Sequence, residues 1–210
     1  PSTMSPAPGA RACAPSSARI GPNAIIRTRE ALVEHVGDTT CARVFAAATL
    51  ERYLTSPPTE MVPEMEVVAL HRALRLALRP ETADAVMRDA GTRTARYLLA
   101  HRIPKPAQWT LRALPAGLAA TALLRLITRH AWTFAGAAEV TVVTGNPARV
   151  HFDGSPFAAV DQAEGAVCGF YVGTFEALFR ALVHPRTVAR ETACAATGAE
   201  RCTLSLEWPR

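Results

Sequence analysis

The feature that most constrains the fold is a change of hydrophobic period part-way along the chain. Up to about Thr128 the apolar residues recur at helical spacing, and after His130 they alternate or run β-branched. Two helices are expected between Ala24 and Leu54, split at Gly37-Asp38 and stopped by Ser56-Pro57-Pro58. Val67, Leu70, Leu74 and Leu78 mark a third helix from about Glu64, and Pro80 opens a fourth that reaches about His101. Ile103-Pro104-Lys105-Pro106 reads as a rigid connector to a helix over Trp109–Thr128, kinked near Pro115. Its apolar core, Ala113 to Leu124, falls short of the roughly 20 residues that span a bilayer and reads as a buried helix.

The second part carries strands near Val140–Val143, Arg149–Phe152, Thr187–Thr192 and Arg201–Trp208. Turns fall at Gly145-Asn146-Pro147, at Asp153-Gly154 and near Gly198, and one amphipathic helix is expected from about Gln162 to Val183. Helices first, then antiparallel strands around one long helix, make an α+β architecture with a single domain over 23–210. Residues Pro1–Pro22 are rich in Pro, Ala, Ser and Gly and read as a disordered tail without the apolar run of a secretory signal.

The net charge of +5 comes almost wholly from arginine, Lys105 being the only lysine. Acidic residues separate many of the arginines and no aromatics interleave them, so a solvated surface is expected rather than a nucleic-acid interface. With no signal and no membrane span, a cytoplasmic protein is expected, in a reducing compartment where clustered cysteines favour metal over disulfides.

Cys168, Glu191, Cys194 and Cys202 form such a cluster. Glu191, Cys194 and Cys202 follow the pattern E-x2-C-x7-C, and a turn near Gly198 would bring the last two together across a hairpin. Three thiolates and a carboxylate suit tetrahedral Zn²⁺ with no position left for water. Small buried thiols are the other reading of the same spacing.

The segments Gly165–Gly173, Arg190–Cys194 and Gly198–Cys202 resemble the 4-vinyl reductase domain family. That family includes the sensory domains of phenol-responsive transcription activators and is related in fold to small subunits of vesicle-tethering (TRAPP) complexes. The resemblance implies a structural zinc ion on Cys168, Glu191, Cys194 and Cys202, in the part of the chain from about 160 to 210. His130-Ala131-Trp132-Thr133-Phe134-Ala135-Gly136, Ile103–Pro106 and Asn146-Pro147 resemble the branch found in bacteriochlorophyll-producing purple bacteria. That branch implies a magnesium tetrapyrrole of the protochlorophyllide type as ligand and enzymes of bacteriochlorophyll synthesis as partners. Relatives pair through their helices, which implies a homodimer.

Three functions follow. A carrier or assembly factor is favoured, because no G-x-G-x-x-G, P-loop or other nicotinamide or flavin site is visible to serve the second, a vinyl reductase. The third is a sensor or scaffold module. The expected ligand slot lies between the helices at Val67–Leu78 and Leu111–Ile127. His130, Trp132 and Phe134 would line it from one face of a strand, with His71 as a further candidate ligand and Arg125 and Arg129 at its mouth for a carboxylate.

Overall fold

The computed structural model describes residues 17–158, 165 and 167–209. Helix α1 (Asn23–Ala47) bends at Gly37, whose φ of 78° lies where glycine is favoured, so the expected split is a kink within one element. A short α2 (Arg52–Thr55) follows it, and then α3 (Glu64–Ala77) and α4 (Pro80–His101). Pro80 sits in the first turn of α4, where a missing N–H costs nothing. The expected helix from Trp109 is instead two, α5 (Lys105–Ala113) and α6 (Ala116–Arg129). Pro115 forces the break, and Pro106 is taken into the first turn of α5, which shortens the connector.

The tail expected through Pro22 ends earlier. Arg19–Ile20 (β1) pairs antiparallel with Val62–Pro63 (β2), because Ile20 finds a buried place at 2% exposure. The part of that tail in residues 1–16 lies outside the described residues.

Strands β3 (Glu139–Val143), β4 (Ala148–Asp153), β5 (Val188–Ala193) and β6 (Cys202–Glu207) form one antiparallel sheet in the order β3-β4-β6-β5. Its inner face carries Ala148, Val150 and Phe152 from β4 and Cys202, Leu204 and Leu206 from β6, all buried. The period of two thus sets which side of the sheet is dry. Helix α7 (Gly169–Leu182) packs on β5 and β6 and, on its other side, along α4, which in turn packs on α1. Tyr171 on α7 stacks on Phe152 with ring centroids 4.4 Å apart, joining helix and sheet. No described helix is long and apolar enough to cross a membrane.

Three further expectations change. Helix α7 begins at Gly169, so Cys168 precedes it rather than lying within it, and residues 162–164 of the expected helix lie outside the described residues. The run taken as a buried helix is amphipathic: Ala119, Ala120, Leu123, Leu124 and Ile127 are inside, whereas Leu118 and Leu126 are exposed beside Arg125 and Arg129. His130 to Phe134 is not a strand. Ala131–Thr133 is a single 3₁₀ turn, tied by Gly21 N–H to Thr133 O (2.8 Å) and by the Tyr171 hydroxyl to Phe134 O (3.0 Å). The buried Glu64 carboxylate accepts from Ala137 N–H at 2.8 Å and completes the anchoring of this loop.

Candidate metal centre and apolar groove

The sheet and α7 bring all four C-terminal candidates together. Cys168 immediately precedes α7, Glu191 is on β5, Cys194 directly follows that strand, and Cys202 opens β6. The link between the strands is a 3₁₀ turn, Ala195–Thr197, closed by Gly198 at φ 93°. A register shift between Glu191 and Ala193 marks a bulge at the strand end, a usual device for re-aiming side chains near a site. The four ligand atoms lie within 4.8 Å of one another. A tetrahedral site with sulfur at about 2.3 Å has edges of about 3.8 Å, so the set would close onto one cation with small rotations.

The electrostatics explain why a cation suits this place. All three thiols are buried and unpaired by disulfide. Cys168 N–H donates to Glu191 Oε2 at 2.9 Å, and Ala195 N–H donates to Cys202 Sγ at 3.4 Å. Hydrogen bonds from the Cys168 and Cys194 thiols pull Cys202 down to about 3, making it the anion of the group. Donation to Cys194 and Cys202 pushes Cys168 well up. Burial, then the hydrogen bond with Cys194, raises Glu191 to about 8. Glu191 Oε1 is buried with no hydrogen-bond partner, a costly state for a carboxyl oxygen. A divalent ion would remove each of these penalties at once. The donor set therefore fits a metal, and its closed, buried geometry suits a clamp between the start of α7 and the β5–β6 hairpin.

The other candidates disperse. His71 on α3 is fully buried, stacked on Phe157 at 4.6 Å and edge-on to Phe170, with Nε2 3.4 Å from Thr28 Oγ1. Burial first, and the Arg75 charge second, lower its pKa to about 3, so it is a neutral core residue sealed from any ligand. Phe134 packs edge-on to Tyr171 and Phe175 and belongs to the core margin. His130, Trp132, Arg125 and Arg129 do gather at the end of α6, but on the outside. The slot expected between α3 and α6 is not formed, because α3 packs on α1 while α6 packs on α5, α7, β3 and the 3₁₀ turn.

His71 has a measurable consequence. A base with a depressed folded pKa is protonated more readily in the unfolded chain, so its contribution to stability is full above pH 6.5 and lost as pH falls toward 3. At about 1.4 kcal/mol per unit, the loss between pH 7 and pH 5 is about 2 kcal/mol. Denaturant unfolding at both values should show His71→Met losing that much less stability than the wild type; equal losses would contradict the assignment.

The concave feature lies elsewhere. The outer face of α3 and the end of α1 enclose an apolar groove of about 560 Å³, lined by Met65, Val68, Ala69, Arg72, Ala73 and Leu76 and closed at one end by Thr49. Thr49 has φ 57°, in the left-handed position that follows a helix and normally takes glycine. Its N–H bonds Ala46 O and the next N–H, of Leu50, bonds Phe45 O, so the helix end is held despite the strain of a β-branched residue there. Sequence reasoning passed over this groove. The signal was present: α3 is apolar on two faces, Val67, Leu70 and Leu74 inward and Met65, Val68, Ala69 and Leu76 outward.

The architecture and the four-residue cluster define a protein of the 4-vinyl reductase domain class: the model of that domain matches residues 149–207, a span that holds Cys168, Glu191, Cys194 and Cys202. Over 188 residues the chain is 42% identical to the bacteriochlorophyll synthase 23 kDa chain of Cereibacter sphaeroides, an alignment covering 90% of each. The chain belongs to this BchJ-like family of 4-vinyl reductase domain proteins. Among solved structures, an H-NOX protein from K. algicida superposes with a TM-score of 0.58 at 12% identity, covering 91% of this chain and 97% of its own. The phenol-responsive sensory domain of the transcription activator PoxR gives 0.49 at 19% identity, over 67% and 71%. The H-NOX likeness is one of fold and agrees with the α+β expectation.

Proposed function

We propose that the protein binds a magnesium tetrapyrrole intermediate and acts as a carrier or assembly factor in bacteriochlorophyll biosynthesis, the process its family is named for. The observation that carries this reading is the groove on α3. Its volume falls within the range of about 300–1,000 Å³ typical of small-molecule sites, and its wall is aliphatic apart from Arg72 and Thr49. An apolar wall with one guanidinium suits a flat macrocycle bearing a carboxylate. It offers a pigment a dry face to lie on and no group with a neutral-range pKa to react with it.

Within this reading Cys168, Glu191, Cys194 and Cys202 hold a structural Zn²⁺. The ion supplies cross-linking of the hairpin to α7, and the chemistry of the ligand is left to other parts of the protein.

The test is a titration with divinyl protochlorophyllide, following the Soret band of the pigment. The wild type should shift the band at a one-to-one ratio. Ala69→Trp, which fills the groove from a half-buried position, should weaken binding by at least about tenfold, the equivalent of roughly 1.4 kcal/mol. Unchanged affinity in the variant would place the ligand elsewhere, and no spectral change in the wild type would remove the carrier reading.

A further inference from the structure

From Ala90 to Ala138 the chain contains no aspartate or glutamate, although it carries seven arginines and lysines. The two consecutive helices α5 and α6 and the 3₁₀ turn after them lie wholly within this stretch and pack on one another. Elsewhere arginines are paired: Arg27 with Glu30, Arg52 with Glu66, Arg88 with Asp84, Arg93 with Asp89, Arg180 with Glu176. Among the described residues, Lys105, Arg112, Arg125 and Arg129 have no such carboxylate.

The same elements carry most of the large exposed apolar side chains. Trp109 is 66% exposed, Leu118 60%, Leu126 42% and Trp132 63%. Helical spacing sets cations and apolar groups side by side. Lys105, Trp109 and Arg112 share one face of α5, and Leu118, Arg125, Leu126 and Arg129 share one face of α6. His130 Nδ1 lies 2.8 Å from Leu126 O, which folds the turn bearing Trp132 back onto the end of that face. Exposed tryptophan and leucine among unpaired cations is the composition of a surface that enters the headgroup region of a bilayer. A nucleic acid would be served by the cations but would gain nothing from the leucines.

We infer that the α5–α6 face with Trp132 docks the protein onto an anionic lipid surface. The cations meet lipid phosphates, and Leu118, Leu126 and the two tryptophans insert among the upper acyl chains. The docking is peripheral, and it stands independently of what occupies the groove.

Co-sedimentation with vesicles tests it, using phosphatidylcholine alone and phosphatidylcholine mixed with phosphatidylglycerol. The wild type should bind the mixed vesicles, bind phosphatidylcholine weakly or not at all, and be released by salt. Arg125→Glu/Arg129→Glu should lower affinity at least about twenty-five-fold, taking roughly fivefold per cation near an anionic surface. Leu126→Ser/Trp132→Ser should lower it about tenfold or more through lost apolar insertion. Both pairs are exposed, so both variants should melt as the wild type does. Failure to bind mixed vesicles, equal binding to both vesicle types, or wild-type binding by both variants would overturn the inference. So would a wild-type dimer that either double substitution dissociates, since the face would then belong to a second copy.

Discussion

Cys194→Ser and Cys202→Ser should each cost the protein its metal and at least about 4 kcal/mol of stability. Structural zinc in small peptides contributes about 10–16 kcal/mol, so even a partial loss is large beside the usual 5–15 kcal/mol of a whole domain. The position of the cluster explains the size of the effect. Without a cation, the hairpin from β5 to β6 meets the start of α7 through buried thiols, an unpartnered Glu191 Oε1 and one hydrogen bond from Cys168 N–H. Cys41 supplies the control. It is equally buried but stands on α1, away from the cluster, with only a 3.9 Å contact to Arg29 O. Cys41→Ser should keep the full metal content and cost about 1 kcal/mol. Elemental analysis with thermal melting separates the two cases; equal losses at Cys41 and Cys202 would reduce the cluster to ordinary core thiols.

The second large effect is expected at the crossing of α4 and α7. A Cβ at Gly91 would lie 2.1 Å from Phe170 O, and one at Gly173 would lie 2.1 Å from Arg88 O. Both obstacles are backbone, so no side chain can swing aside and the helices must part. Thr174 hydroxyl bridges the same contact, reaching Gly91 O at 3.2 Å and Phe170 O at 2.8 Å. Helix propensity alone would favour alanine by about 1 kcal/mol. Separation of two packed helices in the middle of the core outweighs that, and a net loss of at least about 3 kcal/mol is expected for Gly91→Ala or Gly173→Ala. Gly117→Ala, on α6 with nothing within 4 Å of the added carbon, should be neutral or stabilise by up to about 1 kcal/mol. Chemical denaturation of the three variants would show it; a stabilised Gly173→Ala would mean the helices do not approach this closely.

Much of this molecule is legible in the order of its residues. The β-branched run at Val140–Val143 and the alternation in Arg149–Phe152 place two neighbouring strands because period-two burial leaves a strong mark. The cluster was legible for a different reason: Cys and Glu have few other uses at that density, and Gly198 marks the turn that closes the hairpin. The stretch His130–Phe134 misled. Large residues alternate there as in a strand, but the alternation reflects tertiary anchoring by Tyr171, Glu64 and Gly21. Such contacts come from residues far along the chain and leave no local period. The slot failed with it, since which helices pack together is fixed by close contacts such as Gly91 and Gly173, not by each helix's own stripe. His71 shows the same limit, because only the ring of Phe157 and the hydroxyl of Thr28 make it a core residue.

The central claim is that the protein holds a pigment without transforming it. The most direct test is to incubate the metal-loaded protein with divinyl protochlorophyllide and NADPH and then extract and separate the pigment. A carrier returns the pigment chemically unchanged after binding it with a shifted Soret band. Conversion of a vinyl group to ethyl by the isolated protein would contradict the account.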